Sequence, residues 1–341
     1  MSTFVLYLLS ACSAYFFTVV VLPPLHRYTL RQLADRPGGI KTHKHPVSAV
    51  GGSAILIGVL SSLTLIRFCT HFPSGTLHNL RGIFIGGALI YTMGILDDLR
   101  KPNGLPINIK LIFQAAATAA LIYYNVTIHV FTQAWLNIPL TFLWVVGLTN
   151  AFNLLDIMDG LCVSQAIVCT LGLAVIALPS EFIYVNFAAL ALLGACLAFW
   201  PHNHAKKHKI FLGDSGSNLL GFLIAAISLG TGYSRHSDWG FLAPLFILAV
   251  PLFDTFFVSL ARILKGKNPL KGSNDHAALR LKAAGWKQPR VVLAFVGTGL
   301  FFNSLAFAIT RCTPVVALAL FLLAFLLAAT GTFWLLQLRT P

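Results

Sequence analysis

Four short strings carry the residue types that handle phosphate together with a hard cation. Gly94-Ile95-Leu96-Asp97-Asp98-Leu99-Arg100-Lys101 ends an apolar run with two adjacent carboxylates. Like charges in contact are tolerated when a metal, a shared proton or nearby cations offset them, and Lys101 and Lys110 are candidate cations. Asn150-Ala151-Phe152-Asn153-Leu154-Leu155-Asp156-Ile157-Met158-Asp159-Gly160-Leu161 spaces four polar side chains three apart. If helical, this spacing sets Asn153 and Asp156 on one face with Asp159 a little further round, before Gly160 permits a break. Such oxygens suit Mg²⁺; they equally suit hydrogen bonds between membrane helices.

The third string, Ile210-Phe211-Leu212-Gly213-Asp214-Ser215-Gly216-Ser217, opens another apolar run. Small residues let backbone approach a ligand, the free N–H groups of a helix start attract phosphate, and Asp214 can offer oxygen to a metal at the same mouth. The competing reading is an ordinary helix-capping turn. The fourth, Asn274-Asp275-His276-Ala277-Ala278-Leu279-Arg280-Leu281, sets His276 and Arg280 four apart, on one helical face that could meet a phosphate. The tract His202-Asn203-His204-Ala205-Lys206-Lys207-His208-Lys209 has no cysteine or neighbouring acid and reads as a basic rim for anions, not a transition-metal site.

The elements that must position these strings are membrane helices. Of 341 residues, 57% are hydrophobic and 10% charged, which excludes a secreted or soluble enzyme and a disordered chain. Apolar runs long enough for about 30 Å of hydrocarbon recur near 3–25, 50–68, 82–96, 107–124, 137–150, 161–178, 182–200, 217–233, 239–261, 291–310 and 314–337. They lack the period-two alternation of a barrel. The expected fold is all-α and polytopic, with about 11 transmembrane helices, or ten if the short fifth run is a re-entrant piece. The first run has no basic leader or small-residue cleavage site before Pro23 and Pro24 and reads as a retained span.

With the amino terminus outside, the loops after the odd-numbered spans and the C-terminal tail hold 20 of the 24 Lys and Arg residues, the distribution expected of the cytoplasmic side. The net charge of +14 therefore has a membrane explanation and calls for no nucleic acid. Seven of the ten acids, Asp35, Asp97, Asp98, Asp156, Asp159, Asp214 and Asp275, fall on that same side. Asp254 lies inside the ninth run, and Glu181 and Asp238 fall outside. Carboxylates are costly near hydrocarbon, so this crowding marks a polar site. The six cysteines are scattered and imply no disulfide framework.

Together the strings resemble the polyprenyl-phosphate N-acetylhexosamine-1-phosphate transferases. The likeness runs from Asp35-Arg36-Pro37 through Lys41-Thr42-His43, Pro46, Gly51-Gly52, Asp97-Asp98, Lys110 with Gln114, Asn150 to Leu161, Phe211 to Ser217 and Pro251-Leu252-Phe253-Asp254-Thr255 to Asp275-His276. The resemblance implies a single transferase domain over residues 1–341, its active site built from loops near 26–49, 97–110, 151–160, 201–216 and 262–290 on the cytoplasmic face of a bacterial inner membrane. It implies a UDP-N-acetylhexosamine donor, undecaprenyl phosphate as acceptor and Mg²⁺, with Mn²⁺ as a substitute. Membrane lipid and a second copy in a homodimer are the other expected partners. By the same carry-over Asp97 and Asp98 lie beside the reacting phosphates and Asp214 binds the metal with Asn153 as second ligand. Lys110 contacts phosphate, Asp156 and Asp159 shape the nucleotide side, and His276 lies near the diphosphate. Lys41, His43, Asn203, His204, Phe211, Asp275 and Arg280 complete the expected substrate contacts.

The chain lacks the triple histidine of the MurNAc-pentapeptide branch, so the resemblance is to the GlcNAc-transferring branch. It departs from many relatives at Ser48-Ala49, Ile157 and Val163-Ser164-Gln165. It also departs at His204, where relatives carry an asparagine that helps hold uracil and this chain has Asn203 one position earlier. These departures bear on nucleotide and sugar preference. A secondary transporter is the alternative class; it predicts an internal repeat and midplane charges, and neither is evident.

Overall fold

The computed structural model describes residues 2–32, 48–70, 76–101, 103–178, 183–205, 208–234, 237–268 and 274–338. Thirteen α-helices account for most of them: α1 (Thr3–Gln32), α2 (Gly51–Cys69), α3 (Thr76–Leu99), α4 (Ile107–Tyr123), α5 (Ala134–Leu155), α6 (Leu161–Ala177), α7 (Ile183–His204), α8 (Gly213–Gly230), α9 (Ala243–Ile247), α10 (Ala249–Leu264), α11 (Ala277–Ala283), α12 (Gln288–Ile309) and α13 (Pro314–Gln337). A 3₁₀ turn, Asp238–Leu242, leads into α9. Among the described residues no strand is present beyond an isolated parallel bridge between Ser48 and Ile210. The chain is a multi-pass, all-α membrane protein.

Each of the eleven apolar runs falls on a helix or a helical pair. Seven helices are long and apolar enough to cross a bilayer: α1, α2, α3, α5, α7, α12 and α13. The ninth run is broken, with its first part and α10 meeting at 65°, and would make an eighth span. The fifth run, expected to be the weak one, is a helix of 22 residues, because α5 begins at Ala134 and carries Asn137 inside its first turns. Asn137 is buried and exchanges hydrogen bonds with the backbone of Phe131, which makes a polar residue acceptable at a helix start. At 17 residues, α4 and α6 are shorter, about 26 Å at 1.5 Å per residue.

The centre of the bundle is α8, whose side chains are nearly all buried, against α2, α3, α5 and α6. Its neighbours reach it through glycine. A Cβ on Gly52 of α2 would lie 2.4 Å from the Gly216 backbone, and one on Gly94 of α3 would lie 2.3 Å from Ser215 Cα. Residues 48–52 also hydrogen bond along 211–212: Phe211 N–H donates to Ser48 O, Gly51 N–H to Phe211 O and Gly52 N–H to Leu212 O. Three helix ends, the start of α2, the end of α3 and the start of α8, are thereby held in backbone contact.

The same end of the bundle collects the other strings. The end of α5 meets the start of α8, and the start of α6 meets the end of α7. This is the alternation that successive traverses require. By contrast α13 buries only Ala317 and Leu335 along its length, as expected of a lipid-facing helix.

The glycine contact gives a paired test. Gly52→Ala must push a methyl into backbone that cannot yield, whereas Gly147→Ala in α5 meets nothing within 4 Å. We expect Gly52→Ala to destabilise by about 1–3 kcal/mol and Gly147→Ala to be neutral or slightly stabilising. Thermal unfolding in detergent reads both, and equal midpoints would refute the close-contact account.

Candidate active site

The site is centred on the first turn of α8. Asp98, the last acidic residue of α3, turns both carboxylate oxygens onto that turn: Oδ1 accepts the Asp214 N–H and Oδ2 the Ser215 N–H, each at 3.0 Å. These are free N–H groups of a helix start, and a carboxylate from a neighbouring helix satisfies them where they also carry partial positive charge. Gly213, the residue before, has φ of +77°, and a Cβ there would come 2.9 Å from Asp98 Oδ2. Glycine is therefore required twice over, by conformation and by the carboxylate.

Lys101, one turn past Asp98, lies between two acids, with Nζ 2.8 Å from Asp98 Oδ1 and 3.2 Å from Asp214 Oδ2. Burial works against the ammonium, but Asp214 and Asp98 outweigh it and raise its pKa above the ordinary lysine value. From α5, Asn153 donates to Asp214 Oδ1 at 3.2 Å and to Ser217 Oγ at 3.0 Å. Asp98, Lys101, Asn153 and Asp214 thus form one connected polar cluster drawn from three helices.

Asp97 points elsewhere. It is buried and accepts from Leu105 N–H at 2.5 Å and from the Lys110 ammonium, so it ties the 100–106 loop and the start of α4 to α3. One turn further along α4, Gln114 and Asn150 of α5 exchange reciprocal amide hydrogen bonds of 3.2 and 3.0 Å. The pair brings Lys110 to the same end as the cluster.

The Asn150 to Leu161 string does not continue as one helix. It ends at Leu155, four residues before Asp159, with Asp156 as C-cap and Gly160 in a left-handed conformation as N-cap of α6. The helical arrangement expected for Asn153 and Asp156, with Asp159 a little further round, is therefore corrected to a helix end followed by a turn. The cause is visible in the partners. Asn203 Oδ1 accepts the Gly160 N–H at 2.6 Å, its amide donates to Ile210 O at 3.0 Å, and Asp159 pairs with the Lys209 ammonium and receives Gln288 Nε2 on its carbonyl at 3.2 Å. Asp156 remains half-buried, and burial followed by the charge of Asp214 pushes its carboxyl up to about 7.

Asn203 is accordingly a brace between two loops, both ends of its amide committed to backbone. The neighbouring His204 ring lies tilted against Trp200, ring centroids 4.5 Å apart, and occupies the place where a Cβ on Gly160 would be 1.7 Å away. Phe211 is half-buried under the Lys209 ammonium, 5.0 Å from its ring centre, and faces the Asp159 turn through that lysine.

The α11 string divides between two tasks. His276 Nδ1 lies 2.7 Å from Asp254 Oδ2, and Asp254 Oδ1 accepts the Ala277 N–H at 3.0 Å; both side chains are buried. Arg280, 2% exposed, donates through Nη1 to the carbonyls of Leu335, Leu336 and Leu338 at 3.0, 3.3 and 3.4 Å, and its guanidinium lies 5.2 Å from the Phe257 ring. Asp275 sits between Lys265 and Arg280. The common face expected for His276 and Arg280 thus does not lead to one ligand, because Arg280 is committed to the carbonyl end of α13. Met158 and Leu161 share an apolar cluster with Ala277, Ala278 and Leu281 of α11.

Of the expected site residues, Asp98 and Asn153 each contact Asp214, and Asp97 with Lys110, Asp156, and Asp159 with Phe211 surround them at the same end of the bundle. Asn203 and Arg280 hold backbone. Lys41 and His43 lie outside the described residues, as does Glu181. Lys101, a candidate cation for the acid pair from sequence, bridges Asp98 and Asp214, whereas Asp254 as the partner of His276 was not singled out. An acid inside the ninth apolar run was the available signal for Asp254.

The donor set suits a hard cation. Among the described residues no three His, Cys, Asp or Glu side chains are placed to ligate one ion. Mg²⁺ is ordinarily held by one or two protein carboxylates, with substrate phosphate and water completing its shell. Asp214, the Asn153 amide and an ammonium already standing between Asp98 and Asp214 mark a point where oxygen donors call for positive charge.

Residues 80–232 match the model of glycosyl transferase family 4. The chain is 29% identical to a probable undecaprenyl-phosphate N-acetylglucosaminyl 1-phosphate transferase of Bacillus subtilis, over 91% of this chain and 86% of that protein. It is 28% identical to a decaprenyl-phosphate N-acetylglucosaminephosphotransferase of Mycolicibacterium smegmatis, over 77% and 73%. With a phospho-N-acetylmuramoyl-pentapeptide-transferase of Listeria welshimeri it shares 30% identity over 78% and 85%. The chain belongs to glycosyl transferase family 4, and the relatives named here are phosphosugar transferases by name.

The role of Arg280 is open to a direct check. Replacing it by Met removes a charged donor from three carbonyls, at a cost of about 1.5–3 kcal/mol. Arg280→Met should lower the unfolding midpoint and speed hydrogen exchange in the last turn of α13 while leaving α8 unchanged. Unaltered exchange at α13 would show that the guanidinium does not hold it.

Proposed function

We propose that this protein transfers N-acetylhexosamine 1-phosphate, GlcNAc 1-phosphate first among the candidates, from a UDP-sugar to undecaprenyl phosphate. An oxygen of the lipid phosphate bonds to the β-phosphorus, the bond from that phosphorus to the bridging oxygen breaks, and UMP leaves. The observation that carries the reading is the polar cluster of Asp98, Lys101, Asn153 and Asp214 at one end of a membrane bundle, in a chain of this family. Two of the three relatives named above are GlcNAc-phosphate transferases, and the chain lacks the triple histidine of the MurNAc-pentapeptide branch.

Both reactants are anions, so neutralisation and alignment are the main demands. Asp214 with Asn153 would hold Mg²⁺, or Mn²⁺ in its place, which when bound draws charge from the phosphates. Lys110, aimed by Asp97, and Lys101 supply further positive charge. Asp98 acts by locking the α8 start that presents Asp214. A phosphate monoester has a second pKa near 6, so the acceptor is largely a dianion at neutral pH and needs no strong base. Asp156, Asp159 and Phe211 line the nucleotide side, and His276 meets the diphosphate. Lys41 and His43 act from the segment that rejoins the described chain at Ser48, beside Ile210. The excess of Lys and Arg on this end supports a cytoplasmic site with the amino terminus outside, in a bacterial inner membrane.

The test is purified protein in detergent with undecaprenyl phosphate, radiolabelled UDP-GlcNAc and Mg²⁺. Lipid-linked label with release of UMP is expected, abolished by chelation and restored by Mg²⁺. Asp214→Asn and Asp98→Asn should each lower turnover by about 100-fold or more. Asp238→Asn, exposed in the 3₁₀ turn before α9, should stay near wild type. No lipid-linked product from any UDP-N-acetylhexosamine would sink the proposal.

A further inference from the structure

Asp254 lies within α10, between the buried residues Pro251 and Phe257, at 1% exposure. An ionised carboxylate in such surroundings costs several kcal/mol unless its oxygens are paired. Both are paired, and both partners belong to one short stretch of chain: His276 Nδ1 on Oδ2 and Ala277 N–H on Oδ1. His276 is itself the N-cap of α11, so a side chain from α10 fixes the ring and the start of its helix together. The far end of α11 is fixed by Arg280 on the α13 carbonyls. The other charged groups here are Lys265 and Asp275, which pair with each other, and Arg280, which also reaches Asp275.

The arrangement dictates the chemistry of the ring. With Asp254 as a carboxylate both of its oxygens only accept, and the hydrogen of the Asp254–His276 contact is then on Nδ1. Nε2 is then the one ring nitrogen left for a ligand.

We propose that Asp254 is a positioning residue for the transfer reaction. It anchors His276 through Nδ1 so that the imidazolium, held between two anions, donates its Nε2 hydrogen to a phosphate oxygen of the bound UDP-sugar. This rests on the reaction proposed above and adds to it a residue 22 positions from the histidine that it orients.

Asp254→Asn can satisfy only one of the two N–H groups and turns an amide donor toward the other. It should raise the KM for UDP-GlcNAc by about 10- to 100-fold, the usual cost of losing a partner that orients a ligand-binding histidine. The KM for undecaprenyl phosphate should stay unchanged, and Asp254→Glu, which keeps the carboxylate, should restore part of the loss. In a His276→Gln background Asp254→Asn should cost nothing further. Equal losses in both backgrounds, or a lowered unfolding midpoint with normal KM values, would overturn the proposal in favour of a purely structural cap. Should Asp254→Asn not fold, His276→Asn keeps an amide near the Nδ1 position and removes Nε2; a normal KM for UDP-GlcNAc in that variant overturns it equally. Absence of lipid-linked product from the wild-type protein is a different result, which removes the reaction itself and this inference with it.

Discussion

The capping of α8 by Asp98 is the contact on which the rest of the site depends. Two N–H groups of a helix start, buried among other helices, need acceptors, and a carboxylate on the adjacent helix supplies both at 3.0 Å. That contact is attainable only because α2 and α3 present Gly52 and Gly94 to the α8 backbone, so that helices approach at distances a Cβ would forbid. Charged acceptors make stronger hydrogen bonds than neutral ones. Asp214 is thus presented from a backbone that is pinned before any ligand arrives.

Charge balance is the second constraint. Asp98, Asp156 and Asp214 act on one another electrostatically, and Asp156 is pushed up to about 7 by burial and by Asp214. Lys101 bridges two of these acids while Lys110 and Lys209 neutralise Asp97 and Asp159. A region so arranged interleaves carboxylate oxygens with ammonium groups. Cations and phosphates can both be received there without either facing an uncompensated field.

The membrane architecture was legible in the sequence because hydropathy responds to the same physics that makes a helix span. The eleven apolar runs became helices or helical pairs, and Asp97, Asp98, Asp156, Asp159 and Asp214 gathered at one end of the bundle. Less legible was where a helix stops. Asn153, Asp156 and Asp159 have helical spacing, yet α5 ends at Leu155 because Asn203, Lys209 and Gln288 draw the following turn into bonds with other elements. No local pattern announces those partners, which lie 43 to 129 residues away. Side-chain type alone also misleads for Arg280. An arginine four residues from a histidine looks like a phosphate ligand until the carbonyl end of α13 is seen beside it.

Arg280, Asn203 and Asp254 share a logic particular to a bundle in lipid. Apolar packing gives helices little preference for one another when the surrounding tails are equally apolar, so position must come from polar contacts and close backbone approach. Each of these residues commits its side chain to backbone or to one ring and thereby sets where a functional segment begins: the α6 start, the α11 start, the end of α13. Removing such a residue would leave the acids and lysines of the site in place in sequence while letting the ends that carry them drift. The polar residues of this chain therefore divide into those that offer atoms to a ligand and those that hold the former in register. In a fold whose core and solvent are both apolar, the second group is as necessary to the site as the first.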